Sequence, residues 1–372
     1  MPTAAITIVL YIKLKKPFST RVAKKLVSLG AVAKLAGVSA MAASYALKNQ
    51  PGVGAATRQR ILRIAKKLGY APDARIGDWM ARVRGAKSKD LLPIAWLNTA
   101  WERDAWERYR FHTPYLEGAR ARALALGYKF EDIWAHEPGM TMKRLARIFY
   151  QRGIEGVIVT HPARHLRLNW DRLAGVTLGA ALLAPRLHRV MVDFNYNLHE
   201  ALKALRRLGY RRIGICLARE VDSGSQYALG STARDHFLRA SARDKVPPLF
   251  FLPSYHAIEH QDLELRRAGA IKWLKRYEPE VIVGHDSRIK QWAESAGYRV
   301  PQDVGVVLLA VDDDVLDWAG IHSRRREMGA TAVEWLVSLM RNHQYGVPKT
   351  PLNILIRGSW QSGRTLRMRV AS

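Results

Sequence analysis

Apolar residues near the start of the chain recur at the three- and four-residue spacing of helices. The first apolar stripe comprises Val32, Ala33, Leu35 and Ala36. Ser28 is placed to cap the start of this helix, because its hydroxyl can accept a hydrogen bond from an amide of the first turn. Gly37 is placed to end it, because glycine readily adopts the left-handed conformation that closes many helices. The pattern therefore predicts a short amphipathic helix.

Two more helices are predicted before residue 70. Ser39 can cap a second helix over Ala40–Leu47, and a third begins near Ala55 and ends at Gly69. The predicted buried side of the third helix comprises Ile61, Leu62, Ile64, Ala65 and Leu68. Its opposite face is basic and comprises Arg58, Arg60, Arg63, Lys66 and Lys67. Two short helices joined by a tight glycine-containing turn, followed by a basic helix, form a helix-turn-helix pattern.

From residue 91 onwards, short apolar runs alternate with amphipathic stretches. The runs expected to be buried strands are 92–97, 156–160, 212–217, 281–284 and 304–309. The stretches expected to be helices are 115–126, 140–152, 197–208, 263–277 and 287–296. Strands that alternate with helices predict parallel, doubly wound α/β sheets. The predicted fold is thus an all-α helix-turn-helix head followed by two doubly wound parallel-sheet lobes.

The charge balance of the chain indicates the kind of partner that it binds. The 372 residues include 60 Lys and Arg but only 32 Asp and Glu, which gives a formal net charge of +28. Residues 1–90 contain three acids, at Asp73, Asp78 and Asp90. Such a balance favours a polyanionic partner such as nucleic acid. A genome-wide preference for arginine is an alternative that fits the later, scattered arginines better than the basic start.

The cysteine content and the amino-terminal residues predict a cytoplasmic protein. Cys216 is the only cysteine, so no intramolecular disulfide can form and a reducing compartment is favoured. The apolar run 4–12 is too short to span a bilayer, and its lysines follow it, which is the reverse of a signal peptide. We therefore expect residues 1–25 to be a poorly structured extension, with no membrane association.

No pattern in the chain points to catalysis. His285, Asp286 and Ser287 are adjacent, but no nucleophile elbow, metal-ligand spacing or phosphate-binding loop surrounds them. We therefore predict that the protein is not an enzyme and that it uses no cofactor and no metal.

Four motifs in the helix-turn-helix stretch occur in a specific order and spacing. They are VAKLAGVS at 32–39, SYAL at 44–47, TRQRI at 57–61 and LGYAPD at 68–73. The chain from Val27 onwards resembles the lactose-repressor (LacI/GalR) family of transcriptional regulators in these motifs. Later landmarks that match more loosely are 191–195, 208–213, 297–304, 312–313 and 327–329. The resemblance implies a sensor domain with the fold of periplasmic sugar-binding proteins.

The resemblance also implies how DNA would be recognised. The family's specificity positions fall on Ala40, Met41 and Tyr45, at the start of the helix that enters the major groove. Ala40 and Met41 could contact only apolar groups such as a thymine methyl, whereas the Tyr45 hydroxyl could hydrogen-bond. The alternative is that Met41 packs in the core and Tyr45 covers it. Candidate phosphate contacts, each of which could equally be only a helix cap, are Ser28, Ser39, Ser44 and Thr57.

Residues 73–84 occupy the place of the family's hinge helix, which inserts an apolar side chain into the minor groove. By alignment Trp79 takes the place of this wedge, with Met80 as the alternative. Gly77 weakens the helix by about 1 kcal/mol relative to alanine. The alternative to a wedge is that Trp79 packs on the sensor domain and has only a structural role.

The family resemblance places an effector between the two sensor lobes, at the carboxyl ends of the strands. The candidate ligand contacts are Asn98, Trp101, His161, Arg234, His285, Asp286 and Asp312. The family's sugar-binding arginine would fall on Ala233, beside Arg234, and Val311 stands where an aromatic residue is usual. A sugar is the expected ligand.

The predicted domains are an extension at 1–25, a helix-turn-helix domain at 26–72, a hinge at 73–90 and a sensor domain at 91–372. We expect a homodimer that binds an inverted-repeat DNA operator, acts as a repressor, associates with the nucleoid and changes affinity when a small molecule binds. The alternatives are a non-specific nucleoid-type DNA-binding protein and a ligand-binding protein with a vestigial head.

Overall fold

The computed structural model describes residues 28–47, 51–70, 91–100, 102–103, 113–160, 165–218, 228–251, 260–311 and 315–368. The chain divides into two compact units, Met1–Arg84 and Gly85–Ser372. We call the first unit the head and the second the sensor domain.

The described residues of the head form three helices, and all three predicted helices are confirmed. They are α1 (Leu29–Ala36), α2 (Ala40–Leu47) and α3 (Ala55–Leu68). Each helix contacts the other two. Their shared core is built from small residues and comprises Val32, Ala33, Ala36, Ala43, Ala46, Ile61 and Ala65.

Two leucines predicted to be in this core are instead exposed. Leu35 is 63% exposed and Leu62 is 45% exposed. On α1 the buried residues Val32, Ala33 and Ala36 centre the core side near Ala36, and Leu35 lies about 100° around the helix from Ala36.

The first lobe of the sensor domain is a fully parallel six-stranded sheet in the order β11-β5-β4-β3-β1-β2. Its strands are β1 (Leu92–Asn98), β2 (Tyr128–Trp134), β3 (Gly156–Val159), β4 (Ala174–Leu178), β5 (His188–Val192) and β11 (Asn353–Ile356). Its helices are α4 (Thr113–Ala125), α5 (Met142–Arg152) and α10 (Arg325–Arg341). Separate apolar clusters fill the two sides of the sheet.

The second lobe is also six-stranded, in the order β12-β10-β9-β8-β6-β7, and only β12 is antiparallel. Its strands are β6 (Ile213–Ala218), β7 (Leu249–Phe251), β8 (Val281–Gly284), β9 (Gly305–Val311), β10 (Gly320–His322) and β12 (Ser359–Gln361). Its helices are α6 (Phe194–Arg207), α7 (Ala228–Arg239), α8 (His260–Tyr277) and α9 (Arg288–Ser295). The prediction of two doubly wound parallel lobes is confirmed.

The chain passes between the lobes three times. It leaves the first sheet after β5, returns after β10 into α10, and crosses again between β11 and β12. The fully buried Asn197 ties two of these regions to the second sheet, because its Nδ2 donates to the Leu309 carbonyl (2.9 Å) and its Oδ1 accepts from the Gly358 amide (3.0 Å). The crossings place the carboxyl ends of both sheets within one domain, which is the arrangement expected of a ligand site.

Candidate nucleic-acid interface and ligand site

Local capping fixes where α2 begins. Gly37 closes α1 in the left-handed conformation (φ 62°), and the Val38 amide donates to the Ala33 carbonyl. Ser39 Oγ then accepts a hydrogen bond from the Ala42 amide at 3.1 Å. Because the turn and the cap are both defined, the first turn of α2 projects a fixed set of side chains.

The side chains at the start of α2 point away from the head core. Met41 is 67% exposed and Tyr45 is 39% exposed. Ala40 is also exposed, and Ser44 is half-buried. The alternative that Met41 packs in the core is therefore wrong. We call Ala40, Met41, Ser44 and Tyr45 the reading face; α2 carries no charged residue.

The hydroxyl residues predicted to contact phosphate differ in their local roles. Ser28 caps α1, because its Oγ accepts from the Ala31 amide at 3.2 Å. Ser39 caps α2 as described. Thr57 lies half-buried in the first turn of α3, whose cap is Gly54 with no side-chain hydrogen bond. Capping is thus confirmed for both serines, and phosphate contact by any of these residues stays a prediction. Trp79 and Met80 lie outside the described residues.

In the first lobe, the predicted ligand residue Asn98 lies at the carboxyl end of β1 and is 7% exposed. Its side chain is engaged with its own loop: Nδ2 donates to the Arg103 carbonyl and Oδ1 accepts from the Ala100 amide, both at 3.0 Å. Asn98 therefore shapes the loop after β1. Trp101 and His161, predicted beside it, lie outside the described residues.

In the second lobe, His285 and Asp286 follow β8 directly and are half-buried. The Asp286 carboxylate accepts from Arg288 Nη2 at 2.6 Å and from Arg288 Nε at 2.9 Å. Burial raises the pKa of Asp286, but the hydrogen bonds and charge of Arg288 outweigh burial, so its pKa lies below the ordinary value. The carboxylate is therefore ionised and already paired. Arg288 was missed from the sequence, although it follows Asp286 by only two positions.

Arg234 lies on the outer side of α7. It is exposed, and its guanidinium carbon is 5.6 Å from the centre of the Phe250 ring. Ala233 is fully buried in the core of the second lobe. The chain thus has a core alanine where the resemblance would place a sugar-binding arginine. Asp312 lies outside the described residues.

Cys216 is buried on β6 near the same site. Burial raises the pKa of its thiol well above the ordinary value, and the negative charge of Asp286 adds to the effect. The thiol is consequently un-ionised at neutral pH and unsuited to act as a nucleophile.

One cavity at the edge of the first sheet was not predicted. It has a volume of about 140 Å³. Its lining residues are Arg103, Asp132, Ile133, Trp134, Glu137, Met140, Ile148 and Arg152. Trp134 stands opposite Asn98 in the register of β2 and β1, and its Nε1 donates to the Ala100 carbonyl at 2.8 Å. The cavity therefore adjoins the loop that follows β1.

Within the described residues, no three His, Cys, Asp or Glu side chains come together as a metal site. In the same residues, no single helix has the length and apolar composition to cross a membrane. The pair α1 and α2 meets that criterion only when taken together across a 102° bend.

A helix-turn-helix head joined to a two-lobed α/β domain defines a class of DNA-binding regulator with a sensor domain. Residues 28–73 match the bacterial regulatory proteins of the lacI family, and residues 202–360 match the periplasmic binding protein-like domain. The chain thus combines a helix-turn-helix domain of the lacI family with a periplasmic binding protein-like domain.

Solved structures agree with this fold at low sequence identity. A complex of the transcriptional regulator CelR with cellobiose is 17% identical with a TM-score of 0.51, over 91% of this chain and 99% of that chain. A Lac repressor dimer bound to operator and the anti-inducer ONPF is 16% identical with a TM-score of 0.51, over 92% of this chain and 99% of that chain. A LacI-family regulator from Rhizobium etli is 17% identical with a TM-score of 0.53, over 74% of this chain and 98% of that chain. A comparison with curated proteins gives no match.

Proposed function

We propose that this protein is a sequence-specific transcriptional regulator whose affinity for DNA is changed by a small molecule bound between its sensor lobes. The observation that carries the proposal is the exposed, capped start of α2 inside a head that matches the lacI family. Repression is the mode we favour, because a bound protein of this kind occludes the DNA that it occupies.

The reading face would recognise bases mainly through apolar contact. Ala40 and Met41 offer no hydrogen-bonding group, so they suit the thymine methyl in the major groove. Ser44 and Tyr45 add two hydroxyls, which can bond to a base edge or a phosphate. We therefore expect operator half-sites in which A·T pairs face Met41.

The effector that fits best is a sugar. CelR, which shares the fold, has been solved with cellobiose. In this chain the proposed contacts are His285, Asp286, Asp312, His161 and Trp101, with Asn98 holding the loop after β1. Arg234 is the weakest member of the predicted set, because its guanidinium is exposed and lies over Phe250.

Coupling would pass through residues 73–84, with Trp79 or Met80 as the minor-groove wedge. Effector and DNA must then change each other's affinity by the same factor, because coupling free energy is reciprocal. A Lac repressor similar in fold is a dimer on its operator, and we propose a homodimer on an inverted repeat here. We further propose that the protein acts in the cytoplasm.

The test is selection of binding sites from genomic fragments with the purified full-length chain. Fluorescence anisotropy on the best site, with and without candidate sugars, follows. A preferred inverted repeat whose affinity shifts with one sugar supports the proposal.

A non-specific DNA-binding protein is the second candidate, and one observation favours it: residues 28–70 contain no acid at all. Salt-sensitive binding with no preferred sequence would identify that function instead.

A further inference from the structure

The head has a second distinctive surface, on the outer side of α3. Four exposed cations lie along it, Arg60, Arg63, Lys66 and Lys67, and we call them the cationic face. At 100° per residue they occupy an arc centred about opposite the buried Ile61 and Ala65. The cationic face therefore points directly away from the head core.

The three-helix segment that carries these charges offers no acid to neutralise them. No Asp or Glu occurs between residues 28 and 70. Surface cations on helices are usually interspersed with acids that form pairs at three- or four-residue spacing. A helix face with four cations, in a segment without acids from residue 28 to residue 70, suits an external polyanion.

The cationic face is separate from the reading face. The two belong to different helices, and α1, α2 and α3 all pack on one another around one core. The outer sides of α2 and α3 therefore look in different directions. α2 is uncharged, whereas α3 has two of its lysines in its last turn. A duplex that receives α2 in its major groove would therefore meet the reading face and not the cationic face.

The spacing of the cations fits a phosphate backbone. Arg60 and Lys67 are separated by seven residues, which is about 10 Å along a helix. One strand of B-DNA carries a phosphate about every 3.4 Å along its axis, so this length spans about three phosphates. Guanidinium groups bind phosphate oxygens in a two-pronged geometry, which suits Arg60 and Arg63.

We propose that the cationic face binds the backbone of a second DNA segment, so that one head holds two segments at once. DNA is the occupant we infer because a protein bound to its site is surrounded by neighbouring DNA at high effective concentration. The contact would be independent of sequence, since it involves only phosphates.

The experiment is a two-duplex capture with the full-length chain. A duplex carrying the preferred site is immobilised and loaded with protein, and a labelled duplex without the site is then added. The measured quantity is the amount of labelled duplex captured, divided by the amount of protein bound to the immobilised duplex. Binding to the immobilised site separately reports the proposed regulator function.

Three variants make the test specific. R60Q/R63Q/K67Q removes three of the four charges of the cationic face but keeps good helix formers, and we expect capture to fall at least about tenfold while the immobilised site is still bound. R60K/R63K/K67R keeps the charge and should retain capture. K143Q/R147Q/R167Q removes the same charge from exposed positions of the sensor domain and should leave capture unchanged. Circular dichroism verifies that each variant is folded.

A homodimer could also capture DNA through the reading face of its second head. The variant Y45A distinguishes the two routes, because it should leave capture per bound protein unchanged if the cationic face is responsible. Capture that survives R60Q/R63Q/K67Q, or that falls equally in the sensor-domain control, overturns the proposal. The proposal is also overturned if the wild-type chain binds its site but captures no second duplex. It is likewise overturned if the cationic face binds phosphatidylserine vesicles and no second duplex.

Discussion

At the scale of single residues, Met41 offers the clearest link between sequence and specificity. If Met41 contacts a thymine methyl, replacing that thymine with deoxyuridine should weaken binding about fourfold, since one buried methyl is worth about 0.8 kcal/mol. Met41→Ala should abolish this difference. Titrations of matched duplexes by fluorescence anisotropy measure the effect. Tyr45→Phe is the control, because it removes only a hydroxyl and should preserve the difference; an unchanged difference in Met41→Ala would contradict the assignment.

The pair Asp286 and Arg288 gives a prediction about pH. Because the folded pKa of Asp286 is lowered, its stabilising contribution is present above the ordinary value of 3.8 and is lost as the pH falls through the folded value. Arg288→Gln should lower the free energy of unfolding at pH 7 by about 1–3 kcal/mol, because it leaves a buried carboxylate without its charged donor.

Arg288→Gln should have little effect on the free energy of unfolding once Asp286 is protonated. Urea unfolding of wild type and Arg288→Gln between pH 3 and pH 7 measures this. Arg167→Gln, at an exposed position, is the control and should leave stability unchanged at both ends. A loss in Arg288→Gln that is as large at pH 3 as at pH 7 would mean that the ion pair is not the cause.

At the scale of elements, the cap of α2 can be separated from a role in DNA contact. Ser39→Ala should destabilise α2 by about 1 kcal/mol, because the Ala42 amide loses its acceptor. Hydrogen exchange at residues 42–47 measures the loss, and Ser39→Asn should restore protection. Ser44→Ala should leave exchange unchanged; if Ser44 contacts phosphate, only its DNA affinity falls. Unaltered exchange in Ser39→Ala would show that the cap does not hold the helix.

The packing of α4 against α10 in the sensor domain depends on glycine. A Cβ added at Gly329 on α10 would lie 2.0 Å from the Tyr115 carbonyl oxygen of α4. Gly329→Ala should therefore force the helices apart and cost about 1–3 kcal/mol. Gly269→Ala is the matched control, because nothing lies within 4 Å of its added Cβ and alanine favours a helix. Thermal unfolding compares the two, and equal midpoints would refute the packing argument.

The elements differ in how far the sequence predicts them. The boundaries of α1 and α2 follow from Ser28, Gly37 and Ser39, because caps act locally. The predicted buried strands are all confirmed, since their apolar runs are continuous. β2 was missed because it is an edge strand whose charged residues break the apolar pattern. The exposure of Leu35 and the Asp286–Arg288 pair depend on three-dimensional packing, which spacing alone does not supply.

At the scale of the whole molecule, charge and specificity belong to different parts of the head. The reading face on α2 is uncharged, whereas the cationic face lies on α3, and the net charge of +28 of the whole chain attracts DNA of any sequence. Sequence preference should therefore depend on the reading face, and salt dependence on the basic residues around it. A sequence-specific regulator should therefore show a measurable gap between its affinities for specific and non-specific DNA.

The most direct test compares two affinities of the full-length chain, one for its best selected site and one for a scrambled duplex of the same length. Both are measured at the same salt concentration. We expect an inverted repeat that is bound at least about a thousandfold more tightly than the scrambled duplex. Equal affinities, with the same steep salt dependence for both duplexes, would contradict this expectation and leave a non-specific DNA-binding protein.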